Sequence, residues 1–352
     1  LVDWTSSMQQ SFEYYIVDPL TWKDAKRVDS VIASTIIRDL NAETLGSAAL
    51  NISEILDECY IRIYMIVFQN GRSEKIPLGT YLFQSPAYSF DGKTRSIVMD
   101  GYTPLIELKE NYPPLGYSLF IGNYILEKSY QIVREQARAP VIETHDSTQL
   151  ITNFISNSED TWISFLYDLL ANAKYTLGLD EIGRIIFEPD QSLTSLQPVW
   201  TYNDSNSSIL YPSLEVNRDL YGIPNVVEVV YSNGNTCLYA SAENNNSDSP
   251  TSIQSRGRRI TTRISKPDIV GTPTQSMLQE YANRMLRELS SLEYTITYTH
   301  GYCPVRLGDC VRLDYKEAGL NGVKAKVISQ SIKCEPGCPV TEKAVFTTSL
   351  WG

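Results

Sequence analysis

The residues of this chain that could do chemistry are few and scattered. There are two histidines, His145 and His300, so a catalytic triad or a Cys-His pair, each of which needs imidazole as its proton carrier, has few ways to form. His145 stands beside Asp146. Asp146 followed by Gln149, ahead of Leu150, Ile151, Phe154 and Ile155, matches a capping box, so the aspartate is expected to cap a helix rather than to orient an imidazole. His300 precedes Gly301 at a strand end, with no partner evident in its neighbourhood. Carboxylates are abundant, and counting alone does not exclude a glycosidase pair. Glu13, Glu58 and Glu228, however, fall on the polar faces of strand patterns, and Asp180-Glu181 reads as a turn.

The remaining chemical signals are equally thin. Six cysteines, Cys59, Cys237, Cys303, Cys310, Cys334 and Cys338, include CX6C and CX3C pairs near the end, whereas zinc sites show tighter pairs with His or Cys partners. Reduced core thiols are the expected state. No GXXXXGK(S/T) or GXGXXG phosphate loop is present. The one concentrated basic stretch is Arg256-Gly257-Arg258-Arg259. It reads either as a solvated turn or as a charged contact with an acidic neighbouring subunit, which makes Arg256, Arg258 and Arg259 candidate interface residues. No catalytic, cofactor-binding or metal-ligating residues are assigned, and a non-enzymatic protein is expected.

Composition narrows the class. The chain has 352 residues with 42% hydrophobic and 20% charged, an ordinary globular balance in which a sizeable core forms without metal or disulfide. Its 23 tyrosines suit strands and interfaces. The net charge of −11 argues against tight nucleic-acid binding, which draws on a basic surface. The longest apolar run, around Ile61–Phe68, is interrupted by Arg62, so no membrane span is expected. The start at Leu1 reads as a chain whose first residues have been trimmed or left out, and assembly in a cytoplasm is expected.

The elements that must carry these residues are mainly β. Phe12–Val17, Val31–Ile37, Cys59–Phe68, Thr80–Phe83 and Ser96–Met99 are short strand patterns between Asp-Pro, Asn-Gly and Asp-Gly turns. Alternation of Cys59, Ile61, Ile63, Met65 and Val67 with Tyr60, Arg62 and Tyr64 predicts a strand with one buried face. In the middle, the box at Asp146 predicts one helix and the spacing of Trp162, Ile163, Leu166, Leu169 and Leu170 a second. A hairpin follows over Tyr175–Leu179 and Arg184–Phe187, with Gly183 in a left-handed turn position. Val226–Tyr231 and Thr236–Ser241 flank Asn233-Gly234, a strong hairpin signal, and Glu243–Ser249 reads as an exposed polar loop. A helix with Thr272 as cap, Pro273 at its first position and Gln275 completing the box carries the stripe Leu278, Tyr281, Ala282, Met285, Leu286 and Leu289. Strands resume at Thr295–Thr299, Cys310–Asp314, Ala325–Ile332 and Ala344–Thr348. Pro77-Leu78-Gly79-Thr80-Tyr81-Leu82 faintly echoes Pro304 to Leu307-Gly308-Asp309-Cys310-Val311. The expected fold is mainly β with α+β parts: a first β-barrel domain over 1–110, a small α+β domain over 111–190, a connecting segment over 191–225, and a second β-barrel domain over 226–352 with an inserted helix at about 273–290.

The stretch Asn225–Ile260, NVVEVVYSNGNTCLYASAENNNSDSPTSIQSRGRRI, resembles the baseplate-hub proteins of phage tails and related contractile injection systems. A strand pair leads into an Ala/Asn/Asp loop, then a Ser-Pro-x-Ser-Ile turn (Ser249-Pro250-Thr251-Ser252-Ile253) and a Gly-Arg step. The helix at Pro273–Leu289 and the Pro304…Leu307-Gly308-Asp309-Cys310-Val311 strand entry continue the likeness in order. Upstream, Trp162–Leu170 and the Gly178–Pro189 hairpin resemble the family's middle domain. The likeness spans about 140–350, and the first 110 residues loosely. It implies a homotrimer whose paired barrels make a pseudo-six-fold ring between the hexameric tail tube, or distal tail proteins, and a central spike, with a tape-measure protein as a further contact. It also implies a place in the virion tail and an acidic lumen that lets the genome pass without sticking. A six-fold distal-tail adaptor, a glycan-binding receptor module and, last, a cell-wall hydrolase are the alternatives.

Overall fold

The computed structural model describes the chain apart from residues 1, 94, 219–220, 233–236, 266, 268–272, 291 and 349–352. Contacts divide it into two units, Leu1–Leu214 with Tyr298–Ala344, and Glu215–Thr297 with Val345–Gly352.

The first unit opens with β1 (Gln9–Val17), β2 (Asp24–Arg27), β3 (Val31–Asp39), β4 (Gly46–Ile52), β5 (Cys59–Gln69), β6 (Arg72–Phe90) and β7 (Arg95–Tyr102). Between β5 and β6, Asn70 and Gly71 both adopt positive φ, +52° and +73°, as a two-residue hairpin turn requires. Strands β1 and β3 to β7 send alternate side chains into one core that includes Tyr14, Ile36, Leu50, Ile63, Met65, Phe83 and Met99. The side of that core between β1 and β3 is spanned by the Val28 N–H on the Tyr14 carbonyl and by Tyr14 Oη against Ser34 Oγ at 2.8 Å, so the sheet wraps its core in a barrel-like way. Strand β4 was not legible as a strand: its GSAALNI sequence alternates buried and half-buried positions, but Ser, Ala and Asn carry little β preference.

The single buried face expected for β5 is corrected. Ile61, Ile63 and Met65 are wholly buried, but so in effect are Tyr60, Arg62 and Tyr64 on the other side. Arg62 donates to Thr80 Oγ1 and Asp24 Oδ1, both at 2.9 Å, and to the carbonyls of Trp22 and Ile182. A buried guanidinium is tolerated when its donors are satisfied in this way. It ties the strand to the segments lying over it.

Ile182 belongs to a small α+β part: α1 (Ile106–Lys109), β8 (Ser118–Leu119), α2 (Ile125–Gln136), β9 (Phe154–Ile155), α3 (Trp162–Ala171), β10 (Tyr175–Leu179) and β11 (Ile185–Pro189). The helix predicted at Asp146 is absent. Asp146 Oδ1 accepts the Thr148 N–H at 2.8 Å in a local turn, and 148–156 runs antiparallel to 117–125, through Leu150 N–H on Asn123 O, Gly122 N–H on Leu150 O and the β8–β9 pair. The backbone groups a helix would use are spent on that ladder. The helix is instead α2, whose Ile125, Leu126, Ser129, Ile132 and Val133 are buried at helical spacing. Helix α3 stands where predicted, with Thr161 and Ser164 forming its capping box. The β10–β11 hairpin is also as predicted, turning at Gly183 with φ +77°. A Cβ on Gly183 would come within 2.6 Å of Thr80 Cβ, so both the turn and the close approach need glycine.

After β12 (Trp200–Asn203) and β13 (Leu210–Arg218), the second unit contains β14 (Val226–Ser232), β15 (Cys237–Glu243), α4 (Ile253–Arg256), β16 (Thr261–Ile264) and α5 (Gln275–Leu289). Strand β14 pairs antiparallel with β15 and parallel with β16. The expected Asn233-Gly234 turn lies outside the described residues, as does Thr272. Helix α5 starts at Gln275 with Thr274 as its cap, the Thr274 hydroxyl accepting the Met277 N–H. It sets Leu278, Tyr281, Ala282 and Leu286 on Val227, Val229, Ala240 and Ala242, while Leu289 points outward.

The chain ends with β17 (Leu292–Gly301), β18 (Cys310–Tyr315), β19 (Leu320–Lys333) and β20 (Pro339–Thr348). In the first unit the strand order is β20-β19-β3-β4-β7-β6-β5-β1-β2, with β18 on β19 and β12 on β18. Long β19 makes this possible: Leu320–Lys326 pairs with β18 and Ser329–Lys333 with β3. The protein is thus mainly β with α+β parts. The Leu-Gly echo is local only, because Gly79 sits at a bulge within β6 and Gly308 in the turn before β18.

Candidate functional site

Two polar centres are built into the core, one in each unit. In the first unit, β12, β17, β19 and β20 bring Tyr202, Tyr298, His300, Gln330 and Glu342 together, all essentially without exposed surface. Alternation puts Tyr298 and His300 on the same inward face of β17. Glu342 accepts from the Tyr298 hydroxyl, from Gln330 Nε2 at 2.8 Å, and lies 3.3 Å from His300 Nε2. His300 Nδ1 is 2.7 Å from the Gly301 carbonyl, which can only accept, so that nitrogen carries a proton. Nε2 faces the carboxylate and, at 3.0 Å, the Tyr202 hydroxyl, which also contacts Cys303 Sγ at 3.3 Å. A proton on Nε2 satisfies the carboxylate as well, so the arrangement suits an imidazolium paired with a carboxylate. Burial would lower the His300 pKa, but hydrogen bonds with Cys303 and Glu342, with the charge on Glu342, outweigh it and carry the pKa up to about 10. Burial holds Tyr202 and Tyr298 well above their ordinary values, so both remain hydroxyl donors. Gln330 Oε1 accepts from Arg38, whose other nitrogen donates to Leu78 O at 2.7 Å.

His300, which looked unpartnered in sequence, therefore has partners 42 and 98 residues away. His145 is exposed, 4.0 Å from Glu143, and joins no such centre. A cysteine, a histidine and a carboxylate lie within reach of one another here, and Cys303, His300 and Glu342 are all buried. Among the described residues no group of three His, Cys, Asp or Glu is arranged to hold a metal, and none of the six cysteines is in a disulfide. Beside the centre a small cleft of about 80 Å³ is lined by Leu78, Gly79, Leu177, Leu179, Glu188 and Arg306. Ligand pockets for small molecules run to several hundred cubic ångströms, on the order of 300 or more, and burial raises the Glu188 carboxyl in this one.

The second centre explains the Asn225–Ile260 stretch. Asn244 and Asn225 are wholly buried. Asn244 Nδ2 donates to Ser249 Oγ at 3.0 Å and Thr251 Oγ1 at 3.4 Å, and its main-chain carbonyl accepts from Ile253 N–H. Asn225 Oδ1 accepts from Ile260 N–H at 2.7 Å while its Nδ2 donates to Arg258 O at 2.9 Å. Ser252 caps α4, and Gly257 ends it at φ +62°. In the Glu243–Ser249 loop, Glu243, Asn245, Ser247 and Asp248 are exposed as expected, while Asn244 and Ser249 turn inward, because two amides supply the backbone and hydroxyl partners that the turn would otherwise lack.

This wiring separates the three arginines. Arg256 Nη1 donates to Ile223 O at 3.0 Å, and Arg259 pairs with Glu243 at 2.7 Å. Arg258 is exposed, and its carbonyl rather than its side chain joins the loop network. Glu228 and Arg263 pair across β14 and β16.

No protein-family model matches the chain, and no curated protein matches it in sequence. Solved structures do match in fold. The tail protein from Neisseria meningitidis MC58 superposes with a TM-score of 0.66 at 12% identity, over 96% of each chain. The 43 kDa tail protein of prophage MuSo2 from Shewanella oneidensis gives 0.65 at 11%, over 95% of this chain and 98% of that one. A chain of the Francisella PdpA–VgrG complex gives 0.59 at 8%, over 97% of this chain and 53% of that one. From its first strand to its last, this chain has the fold of phage tail proteins.

Proposed function

We propose that this chain is a structural, non-catalytic subunit of a phage-type tail baseplate: a hub that forms a homotrimeric, pseudo-six-fold ring joining the hexameric tail tube to a central spike. The observation that carries the reading is the full-length agreement of fold with a tail protein, over 96% of both chains. The likeness to a chain of a complex that contains VgrG supports a place next to a spike. The chain then sits in the virion tail after assembly in the host cytoplasm, touching tube or distal tail proteins and the tape measure. The net charge of −11 suits a bore that repels phosphate, and Arg258 is the basic side chain best placed to meet an acidic neighbour.

The test is the mass of the purified chain in solution, alone and with the spike and tube proteins of its particle. A trimer, or a monomer that trimerises with the spike, is expected. A stable hexamer would replace the hub with a six-fold adaptor, and a monomer indifferent to both partners would overturn the tail role.

A further inference from the structure

Strand β15 ends the three-stranded sheet of the second unit: β14 pairs on one side of it and, among the described residues, no strand pairs on the other. Register decides which of its backbone groups face that open side. Asn244 N–H bonds Asn225 O, so those two residues form a hydrogen-bonded pair. Alternation along the antiparallel ladder then makes Ala242 with Val227, and Ala240 with Val229, the next such pairs. Tyr239 and Ser241, opposite Val230 and Glu228, therefore turn their N–H and C=O groups away from β14.

A row of outward backbone groups is a template for another strand, and edges are ordinarily blunted by proline, lysine, a bulge or short length. Two other end strands follow that rule: β2 is short and charged, with Asp24, Lys26 and Arg27, and β13 carries Pro212. Strand β15 reads CLYASAE, with no proline or lysine, and its register against β14 is unbroken. Its protection comes from α5 instead. Gln275 Nε2 donates to Tyr239 O at 2.7 Å and Gln279 Nε2 to Ser241 O at 2.9 Å, which are successive outward carbonyls. The two glutamines stand one turn apart on one side of the helix. Gln279 Nε2 also reaches Asn283 Oδ1 at 3.3 Å, so the amide stripe continues along α5. Leu278, Ala282 and Leu286 run beside it, and seating them on Ala240 and Ala242 delivers the amides to the margin of the sheet. Gln275, expected from sequence to complete a capping box, gives its amide to the strand.

We propose that Gln275 and Gln279 are a guard: by occupying the outward carbonyls of β15 they keep it from pairing with the β15 of a second copy. The pairing they prevent is self-complementary, between the same edge of two copies. For a subunit of a defined assembly, the guard removes a competing contact. It does not depend on how many copies make the assembly, because the wild-type mass is the reference.

The experiment compares the wild type with Gln275→Ala/Gln279→Ala by native mass spectrometry over a range of protein concentrations, with hydrogen exchange of the peptide that covers β15. Alanine keeps the helix propensity of α5, and circular dichroism with a thermal melt establishes that the variant folds. The double variant is expected to add a heavier species that grows with concentration, in which the Tyr239 and Ser241 amides exchange more slowly than in the wild type. Adding Ser241→Pro, which removes an outward N–H and leaves the β14 ladder intact, is expected to return the mass to the wild-type value. A folded double variant with the wild-type mass at every concentration overturns the guard. So does a heavier species whose β15 amides exchange as in the wild type, or one that a folded triple variant still forms. Where the triple variant does not fold, the exchange at β15 decides alone.

Discussion

Around His300 the first unit buries a carboxylate, an imidazole and two phenols, whereas around Asn244 and Asn225 the second unit buries amides and hydroxyls. Both centres satisfy their polar groups, and both hold distant segments together. They differ in what they respond to. The amide centre has no titrating member, so its strength is set by geometry alone. The His300–Glu342 centre pairs charges away from water, where removing one member leaves the other uncompensated and where the proton count matters. Two solutions to one structural need thus give one unit a pH-dependent core and the other a pH-indifferent loop.

That contrast is open to test, starting with the largest effect. Glu342→Leu strands the imidazole, the Tyr298 hydroxyl and the Gln330 amide at once, and is expected to cost about 3–5 kcal/mol. Urea unfolding reads this directly, and a loss below ~1 kcal/mol would show that the pair contributes no more than a surface contact.

The proton dependence comes next. The His300 pKa stands at about 10 in the folded chain against 6.5 unfolded. A raised folded value means the imidazolium contribution is fully present below pH 6.5 and is lost as pH climbs through about 10. Stability of the wild type should therefore fall with pH across that window more steeply than that of His300→Gln. Parallel slopes for the two chains would mean that the imidazole does not carry the dependence.

Asn244→Ala should cost less, about 1–3 kcal/mol, through unsatisfied Ser249 and Thr251 hydroxyls. The penalty should be the same at both ends of that pH window, and a penalty that changed with pH would break the comparison at its neutral side. Smallest is Arg258→Ala, expected within about 0.5 kcal/mol of wild type because the side chain is exposed. If Arg258 meets an acidic neighbour, the same variant weakens the assembled ring in high-salt titrations less than in low-salt ones.

Much of this was legible along the chain. The Asn70-Gly71 turn, the apolar stripes of α3 and α5, and the β10–β11 hairpin are local, so nearest-neighbour chemistry states them. Local signals failed where two segments competed for the same backbone groups. The Asp146 box is a sound helix start, but 148–156 found a partner in 117–125 and the ladder took its hydrogen bonds. The Asn-rich loop looked solvated because polar side chains usually are. Only the approach of Asn225 to Arg258 and Ile260, and of Asn244 to Ser249, turned two of its side chains, Asn244 and Ser249, inward.

By itself the sequence determined the β-rich class, the acidic balance, the scarcity of catalytic groups, and the short helices and turns whose bonds close within a few residues. Tertiary structure alone decided that β5 is covered on both faces, that one long strand, β19, pairs with both β3 and β18, and that His300 faces Glu342 and Tyr202. The physical reason is range. Propensity, capping and alternation act between neighbours, whereas burial and charge pairing depend on segments far apart in the chain, and no local pattern records which distant residue will arrive.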